Sequence, residues 1–247
     1  PARRSKVGSE PILPSGIFSS PTANRVPPAT LEPQRREGDI FLFLGDAIVP
    51  CPVFLKEHRN SHASRNPLLA TIVYTCWPHH FPHSSFLEYI GEQGWQFGFS
   101  LIDDPEDLPF NFFYTSNLSL SRHLFLSSGG FDESFENYGW EDMQLGLRLK
   151  KRGMQLVYNR RAIAYHHHHM NLASFVRPQH KVGRTAWRFY ERHPETEDFL
   201  NIETVPRYSL QQRLKMWNLT WICSLTENLD WPYLSTFYPD LMSYHYN

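Results

Sequence analysis

Two consecutive carboxylates, Glu141 and Asp142, are the side chains of this sequence best suited to acid–base chemistry. They open a helix that the residue pattern predicts over residues 140–152, with Gly153 as its terminating residue. Because adjacent side chains on a helix point in different directions, one carboxylate can hold a substrate hydroxyl while the other takes its proton. Acidic residues in a first helical turn also complement the helix dipole, and this structural interpretation stays open.

Glycines and an indole accompany the acidic pair. Gly130 and Gly139 precede it in the sequence, and Trp140 is its immediate neighbour. Glycine leaves room for a ligand, and a flat indole ring offers an apolar face on which a sugar ring can stack. Gly130, Gly139 and Trp140 are therefore candidate substrate-binding residues.

A third carboxylate, Asp46, follows the apolar run Ile40-Phe-Leu-Phe-Leu44. Such a run predicts a strand buried on both faces, which is typical of a parallel sheet. Open α/β sheets bind ligands at the carboxyl ends of their strands, so Asp46 is a candidate site residue. Aspartate is also common in the turn that follows a strand, and the residue alone does not decide between the two interpretations.

Four consecutive histidines occupy residues 166–169. Imidazole is a good ligand for divalent metals, but alternate side chains of a strand face opposite sides, so at most about half can serve one site. The run lies between a predicted strand and a predicted helix, which argues against a purification tag. A zinc hydrolase is a weak alternative, because no H-E-x-x-H element is present. A solvated run also remains open.

Strands and helices alternate in the predicted secondary structure that must position these side chains. The pattern predicts strands at 40–44, 68–75, 154–158 and 162–165, a β-favouring stretch at 111–120, and helices at about 50–62, 84–91, 140–152, 172–192 and 210–225. This alternation favours an α/β fold with a mixed, mostly parallel sheet flanked by helices, incomplete at the N-terminus and followed by C-terminal helices.

Composition divides the chain into three parts. Residues 1–37 hold seven of the nineteen prolines and predict a poorly ordered lead-in. Residues 38–195 carry the predicted α/β domain, and residues 196–247 are expected to form a helical extension. At 247 residues and 41% hydrophobic content, the chain can bury a substantial core.

Overall charge and cysteine content narrow the function classes. A net charge of −1 provides no basic field for nucleic acid. The three cysteines, Cys51, Cys76 and Cys223, form neither a disulfide framework nor a C-x-x-C metal motif, which favours a reducing compartment. Neither a secretory signal nor an uninterrupted apolar span is evident, so we expect a cytoplasmic protein, with the inner face of the membrane as an alternative location.

Basic and aromatic residues in the C-terminal third suggest a peripheral contact with a membrane or a lipid-linked substrate. A solvated helix face for the basic residues and a packed C-terminal helical cap for the tryptophans are the preferred interpretations. The residues concerned are Arg177, His180, Lys181, Arg184 and Arg188, followed by Trp217, Trp221 and Trp231.

Five short segments together give the sequence its resemblance to a known family. They are Asn117-Leu-Ser-Leu-Ser-Arg122, Gly129-Gly-Phe-Asp-Glu133, Gly139-Trp-Glu-Asp142, Leu145-Gly-Leu-Arg-Leu149 and Ala162-Ile-Ala-Tyr-His166. In order and spacing, residues 38–195 resemble family 2-type glycosyltransferases of the GT-A fold, above all their acceptor-side half. The Gly-Gly-Phe-Asp-Glu and Glu-Asp pattern also resembles the galactosyltransferase-like acceptor-side module.

The resemblance implies an inverting enzyme that moves a sugar from a nucleotide-sugar donor to the hydroxyl of a saccharide or lipid-linked acceptor. It implies that Asp142 is the general base and that Glu141 binds or positions the acceptor. Asn117 and Arg122 match the segment that passes beneath the acceptor.

A divalent metal, Mn or Mg, on the donor diphosphate is also implied by the resemblance. Asp46 matches one carboxylate of the family's DXD-type element, and His166 matches the late histidine that can complete the metal site. Many relatives carry a second carboxylate where this sequence has Ala47. Since a methyl group cannot bind a cation, we expect weakened metal affinity.

The nucleotide-contacting first strand of the family has no counterpart in this sequence. The nucleotide-binding half is therefore expected to be missing or strongly altered. This leaves a second hypothesis, a truncated, non-catalytic glycosyltransferase remnant that acts as a binding module.

Overall fold

The computed structural model describes residues 39–81, 84–135, 139–200 and 209–226. The predicted lead-in at residues 1–37 lies outside the described residues, as do Trp231 and the rest of the predicted extension beyond residue 226.

Five strands form one mixed sheet in the described part of the chain, in the order β1-β4-β3-β5-β2. The strands are β1 (Ile40–Leu44), β2 (Ile48–Pro50), β3 (Leu69–Cys76), β4 (Asn117–Ser121) and β5 (Gln155–His166). The predicted α/β sheet flanked by helices is confirmed. The expectation of a mostly parallel sheet is wrong: only the β3–β5 pair is parallel, because β4 runs antiparallel between β1 and β3 and β2 turns back along β5.

Strand β1 is an edge strand of the described sheet rather than a strand buried on both faces. It pairs with β4, and its end residues Ile40 and Leu44 are exposed. Its apolar content is explained by Phe41 and Phe43, whose rings lie 5.5 and 5.3 Å from that of Phe125. One packed face is therefore enough to account for the run.

Eight α-helices are described: α1 (Phe54–Ser61), α2 (Ser85–Glu92), α3 (Arg122–Ser127), α4 (Glu141–Lys150), α5 (Leu172–Val176), α6 (Gln179–Arg192), α7 (Glu197–Leu200) and α8 (Leu210–Thr226). The helix predicted over 172–192 divides before Pro178, which caps α6. The two strands predicted at 154–158 and 162–165 are one strand whose register against β3 shifts once. Among the described residues, no helix is both long and apolar enough for a membrane crossing.

Helix α4 packs closely against a 3-10 turn at Phe110–Phe112, which fixes where its first turn lies. Gly146 permits this contact, because an added Cβ would lie 2.6 Å from the Cβ of Phe113 and 3.0 Å from the Phe110 carbonyl oxygen. The packing of this glycine therefore positions Glu141 and Asp142.

The strand directions bring several strand ends to one edge of the sheet. Leu44, at the end of β1, pairs with Asn117, at the start of β4. Cys76, at the end of β3, pairs with Tyr165, near the end of β5. The carboxyl ends of β1, β3 and β5 and the amino end of β4 thus share the edge at which the candidate site lies.

Candidate active site

Asp142 is buried, and a single residue, Thr115 in the loop before β4, holds its side chain. Its Oδ2 accepts a hydrogen bond from the Thr115 backbone N–H at 2.9 Å, and its Oδ1 accepts one from the Thr115 hydroxyl at 2.6 Å. The residue is only 6% exposed. Burial raises the pKa of the Asp142 carboxyl, while the two Thr115 hydrogen bonds act in the opposite direction. The result is a fixed carboxylate with increased proton affinity.

Glu141 lies beside it in the first turn of α4. Burial, and then the negative charge of Asp142, raise the pKa of Glu141 to about 7, while backbone N–H groups of Glu141 and Gly139 oppose this rise. Gly139 has a φ of +104°, a conformation that glycine adopts without strain. The Glu141 Oε2 has no hydrogen-bond partner among the described residues. A buried oxygen without a partner is available to a ligand hydroxyl.

The turn after β1 reaches the same edge of the sheet. The Gly45 N–H donates to the Ser116 carbonyl at 2.9 Å, and Ser116 directly follows Thr115. Asp46 lies exposed in this turn. One backbone hydrogen bond therefore connects the segment that carries Asp46 to the segment that holds Asp142.

The histidine tract begins at this edge, but its first ring points inward. His166 is 3% exposed, its ring centroid lies 5.3 Å from that of Phe97, and its Nδ1 has no hydrogen-bond partner among the described residues. Burial lowers the pKa of His166 to about 4. The pKa of His168 is lowered by burial, and the charge of Asp46 acts against this lowering. The charge of Asp46 therefore reaches His168, and the role of His166 as a metal ligand stays a prediction.

The predicted metal ligands do not form a complete site by themselves. In the chain segments that the structure describes, no group of three or more His, Cys, Asp or Glu side chains is arranged to hold a cation. Asp46 and His168 offer one carboxylate and one imidazole, a donor pair that suits a divalent metal. A cation bound there would need additional ligands, such as phosphate oxygens of a substrate.

Trp140 does not present the open apolar face that its sequence position suggests. Its ring is 3% exposed and lies 5.3 Å from the ring of Phe189 on α6 and 6.3 Å from that of Phe199 on α7. These helices cover the indole, so the geometry gives it a packing role. A contact between Trp140 and a sugar stays a prediction.

Asn117 and Arg122 are the two ends of one predicted acceptor segment. They lie at opposite ends of β4. The Asn117 Nδ2 donates to the Val73 carbonyl at 3.1 Å and to the Thr75 hydroxyl at 2.9 Å, and its Oδ1 lies 3.3 Å from Nε2 of His58. Its amide thus joins elements inside the fold. Arg122 begins α3 at the opposite end of β4, about 17 Å along the strand from Asn117.

Gly130 belongs to a contact between two of the sequence motifs. It has a φ of +72°, and its carbonyl accepts a hydrogen bond from Arg148, which also donates to the Ser128 carbonyl at 2.7 Å. The arginine of Leu145-Gly-Leu-Arg-Leu149 therefore fastens the Gly-Gly turn onto α4. This contact alone accounts for the occurrence of both motifs in the sequence, and it involves no substrate.

The geometry thus unites Glu141, Asp142, Gly139 and the Asp46 turn, and separates Arg122 from them. Sequence reasoning missed two residues of this edge. Thr115 carried no signal, since it precedes the recognised motif by two positions. His168 could have been found, because it lies two positions after His166 in the same histidine run, and the two rings are 5.6 Å apart.

The candidate site thus combines an acidic pair in the first turn of α4 with the strand ends of a mixed α/β sheet. The chain belongs to the family described as "Glycosyltransferase like family 2", whose profile matches residues 63–216, more than half of its length. The matched range includes Glu141, Asp142 and both His166 and His168, and it begins after Asp46.

Several curated proteins are similar to parts of the chain. Validoxylamine A glucosyltransferase of Streptomyces hygroscopicus subsp. jinggangensis (strain 5008) is 26% identical over 186 residues, 63% of this chain and 41% of that protein. Uncharacterized glycosyltransferase YfnE of Bacillus subtilis (strain 168) is 37% identical over 62 residues, 25% of this chain and 16% of that protein. Chondroitin synthase of Escherichia coli is 36% identical over 58 residues, 24% of this chain and 8% of that protein. The chain spans less than half the length of each.

Proposed function

We propose that this chain carries the acceptor side of an inverting glycosyltransferase, which moves a sugar from a nucleotide-sugar donor to an acceptor hydroxyl. The observation that carries this proposal is the buried Asp142, oriented by two hydrogen bonds from Thr115 and raised in proton affinity. Membership of glycosyltransferase-like family 2 supports the same reaction class.

Asp142 is the proposed general base. Each of its oxygens accepts one hydrogen bond from Thr115 and keeps a second lone pair, which can take the proton of the acceptor hydroxyl. A carboxylate whose pKa is raised toward neutrality is a more effective base at physiological pH. As the proton moves to Asp142, the acceptor oxygen forms a bond to the anomeric carbon. The bond to the departing nucleoside diphosphate breaks on the opposite face, which inverts the configuration.

Glu141 and the Asp46 turn have supporting roles in this proposal. With a pKa of about 7, Glu141 can exchange a hydrogen bond with an acceptor hydroxyl as either donor or acceptor. Asp46 and His168 would hold a divalent cation, Mn or Mg, whose charge would stabilise the leaving diphosphate. Because Ala47 contributes no ligand, we expect this cation to bind weakly.

The base assignment is tested with Asp142→Asn in the full-length protein, using a panel of nucleotide sugars and saccharide acceptors. Asparagine keeps the side-chain shape but cannot accept the proton, so we expect kcat to fall at least about a hundredfold. Asp103→Asn, at an exposed position outside the site, is the matched control and should leave kcat unchanged. A normal rate in Asp142→Asn would remove Asp142 as the base.

A non-catalytic binding module is the second candidate. The loss of a possible metal ligand at Ala47 and the absence of a three-ligand cluster among the described residues favour it. Calorimetry with nucleoside diphosphates and manganese separates the two candidates. Binding that requires both components supports the enzyme, whereas no heat with any diphosphate supports the module.

A further inference from the structure

A cavity of about 760 Å³ opens at the same edge of the sheet as the acidic pair, and the proposed chemistry does not use it. It lies between the ends of β3 and β5, helix α2 and the segment 96–100. Its volume is in the range of small-molecule sites. Phe97 connects it to the candidate active site, because this lining residue contacts His166 and lies 6.1 Å, ring to ring, from Tyr114, the neighbour of Thr115.

Aromatic rings form much of the cavity wall. Phe99 is stacked on Tyr158 with ring centroids 5.3 Å apart, and Tyr74 meets Phe99 edge to face at 5.4 Å. Trp77 adds a further wall against α2, where Gly91 permits the approach, since an added Cβ would lie 3.1 Å from the indole ring. Flat rings of this kind offer apolar faces to the C–H faces of a sugar.

Polar groups around these rings suit hydroxyls. Burial raises the pKa of Tyr74 and raises that of Tyr158 to about 12, so both phenols stay protonated and can donate hydrogen bonds. Glu88 and Glu92, both exposed on α2, can accept hydrogen bonds from a ligand at the rim. Arg160, which lies 5.3 Å above the Tyr158 ring, provides a donor.

The charges favour a neutral ligand over a nucleotide. Two carboxylates, Glu88 and Glu92, oppose one guanidinium, Arg160, among the lining residues. A diphosphate would be repelled by the carboxylates, whereas the hydroxyls of a neutral sugar can donate to them and accept from the guanidinium. Aromatic walls with acidic and basic groups at their margin therefore match an uncharged saccharide.

We propose that this cavity binds a neutral sugar unit of the acceptor, at a distance from the hydroxyl that reacts. The inference rests on the proposed transferase function and adds the substrate class and a second point of contact. A glycan acceptor that fills both places would be held in one orientation, with its reacting hydroxyl near Asp142.

The test measures saccharide binding without donor or metal, by saturation-transfer NMR and calorimetry. The probes are neutral trisaccharides of glucose, galactose and N-acetylglucosamine, with uridine diphosphate as the nucleotide probe. We expect at least one trisaccharide to bind and Tyr74→Ala to weaken it at least about tenfold through loss of a ring face. Trp187→Ala removes an exposed ring outside the cavity and should leave binding unchanged.

Three results would overturn the proposal: no binding of any trisaccharide, equal binding by Tyr74→Ala, or weakening of only the nucleotide probe by this substitution. Thermal melting checks that Tyr74→Ala is folded, and Glu92→Gln on the helix surface gives an independent perturbation with an expected loss of several-fold. Failure of the transferase proposal gives a different pattern, in which trisaccharide binding depends on Tyr74 but no sugar transfer occurs. If transfer occurs and Tyr74→Ala leaves the acceptor KM unchanged, the cavity proposal alone is wrong.

Discussion

Opposing effects at Asp142 determine its affinity for a proton. Burial raises the pKa of the carboxyl, and the backbone N–H and hydroxyl of Thr115 lower it by binding the charged form. Burial has the larger effect. Thr115 therefore keeps a buried carboxylate ionised over more of the physiological range, while its two hydrogen bonds fix the direction of both oxygens.

Thr115→Val removes one of these hydrogen bonds and keeps nearly the same side-chain shape. Because the charged form of Asp142 then loses a donor, its pKa should rise and the acid limb of the pH–rate profile should move about one pH unit higher. Transfer rates measured from pH 5 to 9 give this profile. Thr196→Val also loses one hydroxyl hydrogen bond, to the His193 carbonyl, and should leave the profile unchanged. An unshifted limb in Thr115→Val would contradict the role of the threonine.

Glu141→Gln tests whether ionisation of the acidic pair lowers the free energy of unfolding. The folded-state pKa of about 7 lies above the ordinary 4.5, so the folded protein binds more protons than the unfolded chain between these values. The contribution of Glu141 to stability is therefore present at low pH and lost as the pH rises through 7. We expect Glu141→Gln to raise the free energy of unfolding by about 1–2 kcal/mol at pH 8 and to change it little at pH 4.5.

Urea unfolding at the two pH values measures this difference. Glu133→Gln, at an exposed position, is the control and should show no pH-dependent gain. Equal stability of Glu141→Gln and the parent at pH 8 would mean that the ionised pair is compensated within the fold.

Residue types located Glu141 and Asp142 but could not assign every neighbour. Trp140 has the chemistry of a sugar platform, yet α6 and α7 cover it, and both helices lie far along the sequence. The side-chain amide of Asn117 likewise forms hydrogen bonds with interior partners. Burial depends on how the whole chain packs, and a short motif contains no information about it.

At the level of elements, the position of α4 depends on the close approach that Gly146 allows. In an exposed helix, Gly→Ala stabilises by about 1 kcal/mol. Here the added Cβ would meet the Cβ of Phe113 at 2.6 Å, and the neighbouring atom is not the free end of a flexible side chain. We expect Gly146→Ala to lower the free energy of unfolding by about 1–3 kcal/mol, as in other overpacked contacts. A melting temperature equal to or above that of the parent would contradict this packing.

Strand pairing shows why element types are easier to predict than their arrangement. The apolar run at β1 correctly indicated a strand, but the same run suits a central parallel strand and an edge strand with one packed face. The direction of β1 relative to its neighbour is decided by β4, which lies more than seventy residues further along the chain. Local periodicity therefore predicted the strand, and only tertiary structure could reveal its antiparallel partner.

At the scale of the whole molecule, α8 exposes an apolar stripe that no other described residues cover. Among the side chains of α8 that the structure describes, Met216 and Cys223 are buried, and they face the body of the protein, where α8 contacts α5. The opposite side of the helix consists of large apolar residues at helical spacing, each more than half exposed: Leu210, Leu214, Trp217, Trp221 and Leu225. The charged residues of α8 are Arg213 and Lys215, and its sequence includes no acidic residue.

This combination fits the interface of an anionic lipid surface, because tryptophan favours the headgroup region and basic side chains are attracted to acidic lipids. We expect the protein to sediment with phosphatidylglycerol vesicles more strongly than with phosphatidylcholine vesicles, and salt to weaken the binding. Trp217→Ser with Trp221→Ser should abolish it, whereas Trp187→Ser on α6 should reduce it much less.

If the double substitution instead dissociates a dimer in gel filtration, a second copy of the chain covers the stripe. Equal binding to both vesicle types would remove the role of the basic residues, since an apolar stripe alone does not distinguish lipid charge.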